Sequence, residues 1–140
     1  MVRVATSGVL CVDGATPALD AFGALRAHGV SALGVLSDDG RLVDNLSVSD
    51  LRCVLPDRFG VLAAPLRCFL ELEAVGAGAG GAHGAGPRGV VSVRPDATLL
   101  DALHALCAHG LHHVFVVDGD GAPLAVVSTA DVLRLATVPP

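Results

Sequence analysis

The chain has 140 residues, a mass of 14.0 kDa and a formal net charge of −5, and 52% of it is hydrophobic although it contains no Trp or Tyr. All nine basic residues are Arg, scattered along the chain; a nucleic-acid partner, which needs a basic footprint, is therefore not expected. No apolar run approaches the ~18 residues that span a membrane, and the first residues lack a signal peptide's basic and apolar regions, so a soluble intracellular protein, cytoplasmic or nuclear and without a membrane partner, is the expectation.

The elements come in two matching sets. An offset of 81 positions lays residues 9–53 on 90–134 without a gap. Identical pairs include Val12/Val93, Leu19/Leu100, Asp20/Asp101, Leu25/Leu106, His28-Gly29/His109-Gly110, Val35/Val116, Gly40/Gly121, Ser47/Ser128 and Asp50/Asp131. The first set opens with an apolar strand over 9–12. A helix over 17–28 follows, with Pro17 in its first turn, Leu19, Phe22 and Leu25 on one apolar face, and Gly29 placed to stop it. Two strands flank the turn Asp38-Asp39-Gly40, and Ser47 stands as the N-cap of a last helix with Asp50 three residues on.

Pro56 and Pro65 bracket a connector, and 66–75 reads as a short apolar helix. The stretch 76–89, GAGAGGAHGAGPRG, has too few large side chains to offset its ordering entropy and reads as a mobile surface loop. It lacks the Lys-Ser/Thr and the helix context of a phosphate cradle. The second set then repeats the first. A strand covers 90–93; a helix over 96–109 carries Leu99, Leu100, Leu103, Leu106 and Cys107 on its apolar face; Gly110 ends it. Strands over 114–117 and 124–127 flank Asp118–Gly121, and Ser128 with Asp131 opens the last helix. The predicted class is α/β (α+β), with strand–helix–strand–strand–helix repeats over 1–60 and 90–140 joined by a connector helix and Gly/Ala-rich loop over 61–89.

A Ser-x-x-Asp corner satisfies its own helix start and needs no ligand. Its recurrence after a paired strand in both repeats favours a second use. A carboxylate accepts two hydrogen bonds from a cis-diol, and a hydroxyl beside a helix N-terminus adds polar contacts and a field that suits an anion. Cys11, Cys53, Cys68 and Cys107 have no paired spacing and read as buried, reduced thiols. His28 and His109 fall at equivalent helix ends, where a cation meets the helix dipole. His83 falls in the loop and His104 on a helix surface. His112 and His113, as neighbours on a strand, point to opposite faces, which argues against a shared metal ion. No Ser or Cys has an evident base partner, so neither a metal site nor a catalytic constellation is expected.

The segments TPALDAF (16–22), GVSALGVLSDDGRLVDNLSVSDLR (29–52) and LHHVFVVDGDGAPLAVVSTADVL (111–133) resemble a tandem pair of cystathionine-β-synthase-type (CBS) domains, a Bateman module. The likeness is strongest to the C-terminal pair of the gamma subunit of AMP-activated protein kinases and its plant relatives. The resemblance implies repeats packed through their sheets with pseudo-two-fold symmetry. It also implies a non-catalytic regulatory role that needs no cofactor. The implied ligand is AMP or adenosine, with ADP and ATP ranked behind, held in the cleft between repeats.

Residue by residue, the resemblance implies that Asp50 and Asp131 hold the ribose hydroxyls and that Ser47 and Ser128 are the first residues of the same motif. Ser31 and Ala32 would line the adenosine site, His112 and then His113 would lie near phosphate, and Leu10 and Val91 would face the adenine. Val126 and Thr129, flanking Ser128, complete the implied nucleotide-binding set. The family commonly has Arg where this chain has His113, a side chain mostly neutral at pH 7. AMP is therefore expected to bind at least as well as ATP. Gamma subunits carry four repeats, so two imply a homodimer or a fragment, with a protein kinase or another regulated enzyme as partner. The alternative is a protein-interaction scaffold with vestigial nucleotide sites.

Overall fold

A computed structural model describes residues 2–4, 8–76 and 90–137. The first sheet has the order β1 (Val2–Val4), β2 (Leu10–Asp13), β3 (Ala32–Leu36), β4 (Leu42–Ser47). Strands β2 and β3 are parallel, joined by α1 (Ala18–His28) as the crossover that parallel pairing requires. Strand β1, antiparallel to β2, was not foreseen; three residues are too few to show a period. The second sheet has β5 (Ser92–Val93), β6 (His113–Val117) and β7 (Pro123–Ser128), with α3 (Leu99–His109) crossing from β5 to β6. Both hairpins slip register at the same place, Val35/Leu36 and Val116/Val117. Both turns end in a glycine at positive φ, 82° at Gly40 and 86° at Gly121, where a side chain would be strained.

Local chemistry sets the helix ends. Gly29 and Gly110 stop α1 and α3 in the left-handed conformation, as expected. Helix α3 starts at Leu99 rather than Asp96 because Thr98 and Asp101 form a capping box: Asp101 N donates to Thr98 Oγ1 at 3.2 Å, and Thr98 N donates to Asp101 Oδ2 at 2.8 Å. After Ser128 the chain makes α4 (Thr129–Thr137). After Ser47 it makes only 3-10 turns, Val48–Cys53 and Pro56–Ala63, because Pro56 has no N–H to continue a helix and restricts Leu55. The connector helix is α2 (Leu66–Gly76). Residues 77–89, with the glycine-rich loop and His83, lie outside the described residues.

Packing corrects the helix faces read from the sequence. Helix α1 buries Ala18, Ala21, Ala24 and Leu25 against Val12, Leu33, Val35 and Leu46, while Leu19 is 59% exposed. Small side chains let the helix lie close to the sheet, and the bulky leucine rotates out. Helix α2 closes the same core with Leu66, Phe69 and Leu70, and Phe22 meets Phe69 edge to face with centroids 5.6 Å apart. Helix α3 buries Ala102 and Leu106 against Val114, whereas Leu99, Leu100 and Cys107 point outward. Cys11 is buried, Cys68 half-buried and Cys107 exposed, so of these three the expectation of buried thiols holds for Cys11; the Cys53 side chain lies outside those described.

The two sheets pack face to face with pseudo-two-fold symmetry, as expected. Phe115 enters a cluster with Val9, Cys11 and Leu36, flanked by Leu42 and Val90. Its equivalent in the first repeat is Gly34. A Cβ at Gly34 would stand 2.8 Å from Leu42 Cδ1, 3.1 Å from Cys11 Sγ and 3.5 Å from Phe115 Cε1. A two-fold relation brings like positions together, and two bulky side chains could not share this point; glycine opposite phenylalanine fills it once. Burying Phe115 contributes roughly 1.5–3 kcal/mol. Burial also pushes the Cys11 thiol up to about 11. At the turn end, Leu42 N donates to Gly121 O at 2.9 Å, tying one hairpin to the other. Among the described residues no helix is long and apolar enough to cross a membrane.

Candidate ligand cleft

Antiparallel pairing sets the start of one strand beside the end of the next, so Ala32 lies opposite Ser47 and His113 opposite Ser128. The residue before each of these strands then accepts from the first N–H of the following helical turn. Val48 N donates to Ser31 O at 3.1 Å, and Thr129 N donates to His112 O at 3.0 Å, at equivalent positions of the two repeats. Each repeat thus folds a polar corner, a strand start clamped to a helix start.

The two corners face each other across the repeat interface and enclose a cleft of about 470 Å³. That volume falls within the usual range for small-molecule sites. The first repeat contributes Ser31, Asn45, Ser47, Val48 and Ser49; the second contributes Gly110 to His113 and Ser128 to Ala130. Ser31 Oγ and His113 Nε2 are 2.7 Å apart, a hydrogen bond from one repeat to the other. That pairing corrects the expectation that no serine has a base partner. The acid nearest in role, Asp131, commits its Oδ2 to Ser128. The Ser31–His113 pair is a bridge between repeats.

The walls are hydroxyl-rich and, among the described residues, carry no permanent cation. Ser31, Ser47, Ser49, Ser128 and Thr129 supply hydroxyls, Asn45 an amide, and no lining residue is Lys or Arg. Burial, followed by the neighbouring His112, pushes the His113 pKa below the ordinary histidine value, with Asp131 pulling the other way. His113 is thus neutral at pH 7, as its sequence position suggested.

Asp131 sits behind the wall as the acid of a capping box. Its Oδ2 accepts from Ser128 N at 2.9 Å and from Ser128 Oγ at 2.7 Å, and its own N–H donates to Ser128 Oγ at 3.2 Å. The Ser128 hydroxyl first, then the Ser128 backbone, hold the Asp131 carboxyl below the usual carboxylate range. Its Oδ1 lies 3.8 Å from Arg134, and the side chain is 47% exposed. Asp50 occupies the equivalent place but is only 7% exposed, and it accepts from Ser47 N at 2.8 Å. Both serines cap as expected.

Of the residues singled out from the sequence, Ser31, Ser47, His112, His113, Ser128 and Thr129 meet on the cleft. Ala32 is buried beside it, Leu10 lies in the first core, and Val91 packs against the core of the second repeat. Val126 is exposed on β7 and does not line the cleft, although its equivalent Asn45 does. Sequence reading missed Asn45, Val48, Ser49, Gly110, Leu111 and Ala130. The repeat offset could have found Val48, which falls on Thr129, but not Ser49 and Ala130, which fall on each other. Among the described residues no group of three His, Cys, Asp or Glu is placed to hold a metal ion.

Comparison with known proteins agrees with this fold. The chain is 25% identical over 132 residues to an uncharacterised protein of Methanocaldococcus jannaschii, covering 83% of this chain and 79% of that one. A conserved protein of unknown role from Pyrococcus horikoshii superposes with a TM-score of 0.72 at 17% identity, over 98% of this chain and 91% of that one. CBSX2, solved in complex with AMP, superposes with a TM-score of 0.64 at 25% identity, over 94% of this chain and 89% of that one. The family model for the CBS domain matches twice, over residues 2–57 and 88–137, on the two repeats whose corners build the cleft, and the chain belongs to the CBS-domain family as a tandem pair.

Proposed function

We propose that this chain is a regulatory, non-catalytic module that binds an adenine nucleoside or nucleotide in the cleft between its repeats. The observation that carries the reading is the convergence of two Ser-x-x-Asp corners, one from each repeat, on a single hydroxyl-lined cleft of about 470 Å³. The likeness to CBSX2, solved with AMP, supports adenine as the base. In this reading Asp131 Oδ1 takes the ribose hydroxyls, Ser128 and Thr129 stand beside it, Ser31 contacts the nucleoside, and His112 faces any phosphate. A ligand touching both repeats shifts their arrangement only by its differential affinity for the two states, and that is the means of regulating a kinase or another enzyme.

The second copy of the chain is part of the proposal. Leu19 and Leu100, at equivalent positions on α1 and α3, are each 59% exposed. Two like apolar spots related by a pseudo-two-fold suit a homodimer that completes a four-repeat disc.

Titration calorimetry with AMP and adenosine tests the central reading. Asp131→Ala should weaken both by about tenfold or more, the worth of a charge-assisted hydrogen bond; an unchanged affinity would remove the main residue of the proposal. One observation favours the scaffold alternative, that both acids are already satisfied as caps. A protein that binds neither ligand while keeping its self-association would decide for that alternative.

A further inference from the structure

A phosphate usually meets Lys, Arg or open N–H groups at a helix start. This cleft offers few of them. Among the described residues, none that lines it carries a permanent positive charge. Thr129 N is taken by His112 O and Val48 N by Ser31 O. Ser47 N and Ser128 N are taken by Asp50 and Asp131, and Asp131 N by Ser128 Oγ. Among the described lining residues the imidazoles are His112 and His113.

From this placement we infer that the cleft is a proton-gated phosphate site, which takes uncharged ribosides while the Ser31–His113 bridge is neutral and gains phosphorylated ribosides when His113 protonates. The inference rests on the adenine reading of the same cleft. The Ser31–His113 bridge is the moving part. With a neutral ring, one proton joins Nε2 and Oγ, whichever atom donates. With a charged ring, Nε2–H must donate, which fixes Ser31 Oγ as the acceptor and leaves its O–H for another acceptor. Protonation therefore adds positive charge and guarantees a free O–H donor at the same point.

The charged and titratable groups around His113 are His112 beside it and Asp131 on α4, with Arg134 3.8 Å behind Asp131. Asp50 stands behind Ser47 on the opposite wall. Burial and His112 oppose the charge on His113 more than Asp131 favours it. The gate consequently opens below the ordinary histidine pKa of about 6.5. A bound phosphate favours the cation, so its affinity rises as pH falls through that window.

The test is the ratio of AMP to adenosine affinity, by calorimetry on the full chain, at about pH 7.5 and about pH 5.5. The ratio should rise about tenfold on acidification, the worth of one charge-assisted hydrogen bond. AMP itself takes up a proton near pH 6, which works against the effect and makes the observed rise a lower bound. The double variant His112→Gln/His113→Gln should flatten the ratio. His113→Arg should hold it high at both pH values. A flat ratio in the wild type, or an equal slope in the double variant, overturns the gate while leaving the adenine site standing. Failure of both ligands to bind at either pH overturns the adenine reading, and the gate falls with it.

Discussion

The two repeats share one backbone plan and differ in how much of it is covered. In the first, all five residues of β3 are buried, and α2 lays Leu66, Phe69 and Leu70 over the core beside α1. In the second, α3 buries only Ala102 and Leu106, and α4 buries nothing. Leu124, Val126, Leu133 and Leu135 are exposed there. The difference teaches that caps, turns and hairpins follow from local sequence and recur with it, whereas burial follows from what is stacked on each sheet. The first repeat is a finished core; the second is a sheet still seeking cover, and it carries both cleft histidines.

The sharpest way to test that contrast is to make similar cuts in each half. Phe69→Ala should cost about 3–5 kcal/mol in urea unfolding, because it opens a cavity under α2. Leu133→Ala, at a side chain 64% exposed, should stay within about 0.5 kcal/mol. Equal costs would erase the distinction between the repeats.

The seam between them should respond to alkali. The Cys11 thiol is pushed up to about 11, so its contribution is full below the unfolded thiol pKa and is lost as pH rises through the folded one. Unfolding experiments should show roughly 2 kcal/mol lost between about pH 9 and 11, and Cys11→Ala should remove that loss. Exposed Cys107 should be alkylated at once and Cys11 only on unfolding, as mass spectrometry would show. Gly34→Ala should cost about 1–3 kcal/mol by crowding Leu42 and Cys11 of its own sheet where Phe115 of the other sheet leaves them little room to move, and an unchanged urea midpoint would mean that these side chains give way freely.

The smallest predicted effect concerns the helix starts. Thr98→Ala should cost about 1 kcal/mol, since Thr98 caps α3 while the equivalent α1 begins at Pro17 without a side-chain cap. Thr98 holds the Asp101 carboxyl below the usual range, as Ser128 does for Asp131. A depressed carboxylate stabilises above its unfolded pKa of about 3.9 and stops doing so as pH falls through the folded value. Circular dichroism should therefore show α3 and α4 indifferent to acidification until below about pH 4; fraying at higher pH would contradict the caps.

Much of this was legible in the sequence because it is local. Glycines at positions 29, 40, 110 and 121 declared helix ends and turns, and Ser47 and Ser128 declared caps before any contact was known. The faces of α1 and α3 were read only in part: Phe22, Leu25 and Leu106 do pack inward, but Leu19, Leu99 and Leu100 were included because bulk was taken for burial, while the sheets chose the alanines. The cleft was half-legible for a different reason. Each corner is a local motif, but Asn45, Ser49 and Ala130 become lining residues only when two repeats meet. The Ser31–His113 bridge spans 82 positions, and no spacing rule reaches that far.

The claim that one cleft serves both repeats is tested most directly by amide hydrogen exchange with and without saturating adenosine. Binding should slow exchange at 47–49 and at 128–130 together, leaving the hairpin turns at 38–40 and 118–121 unchanged. Protection confined to one repeat, or found only away from these two corners, would contradict it.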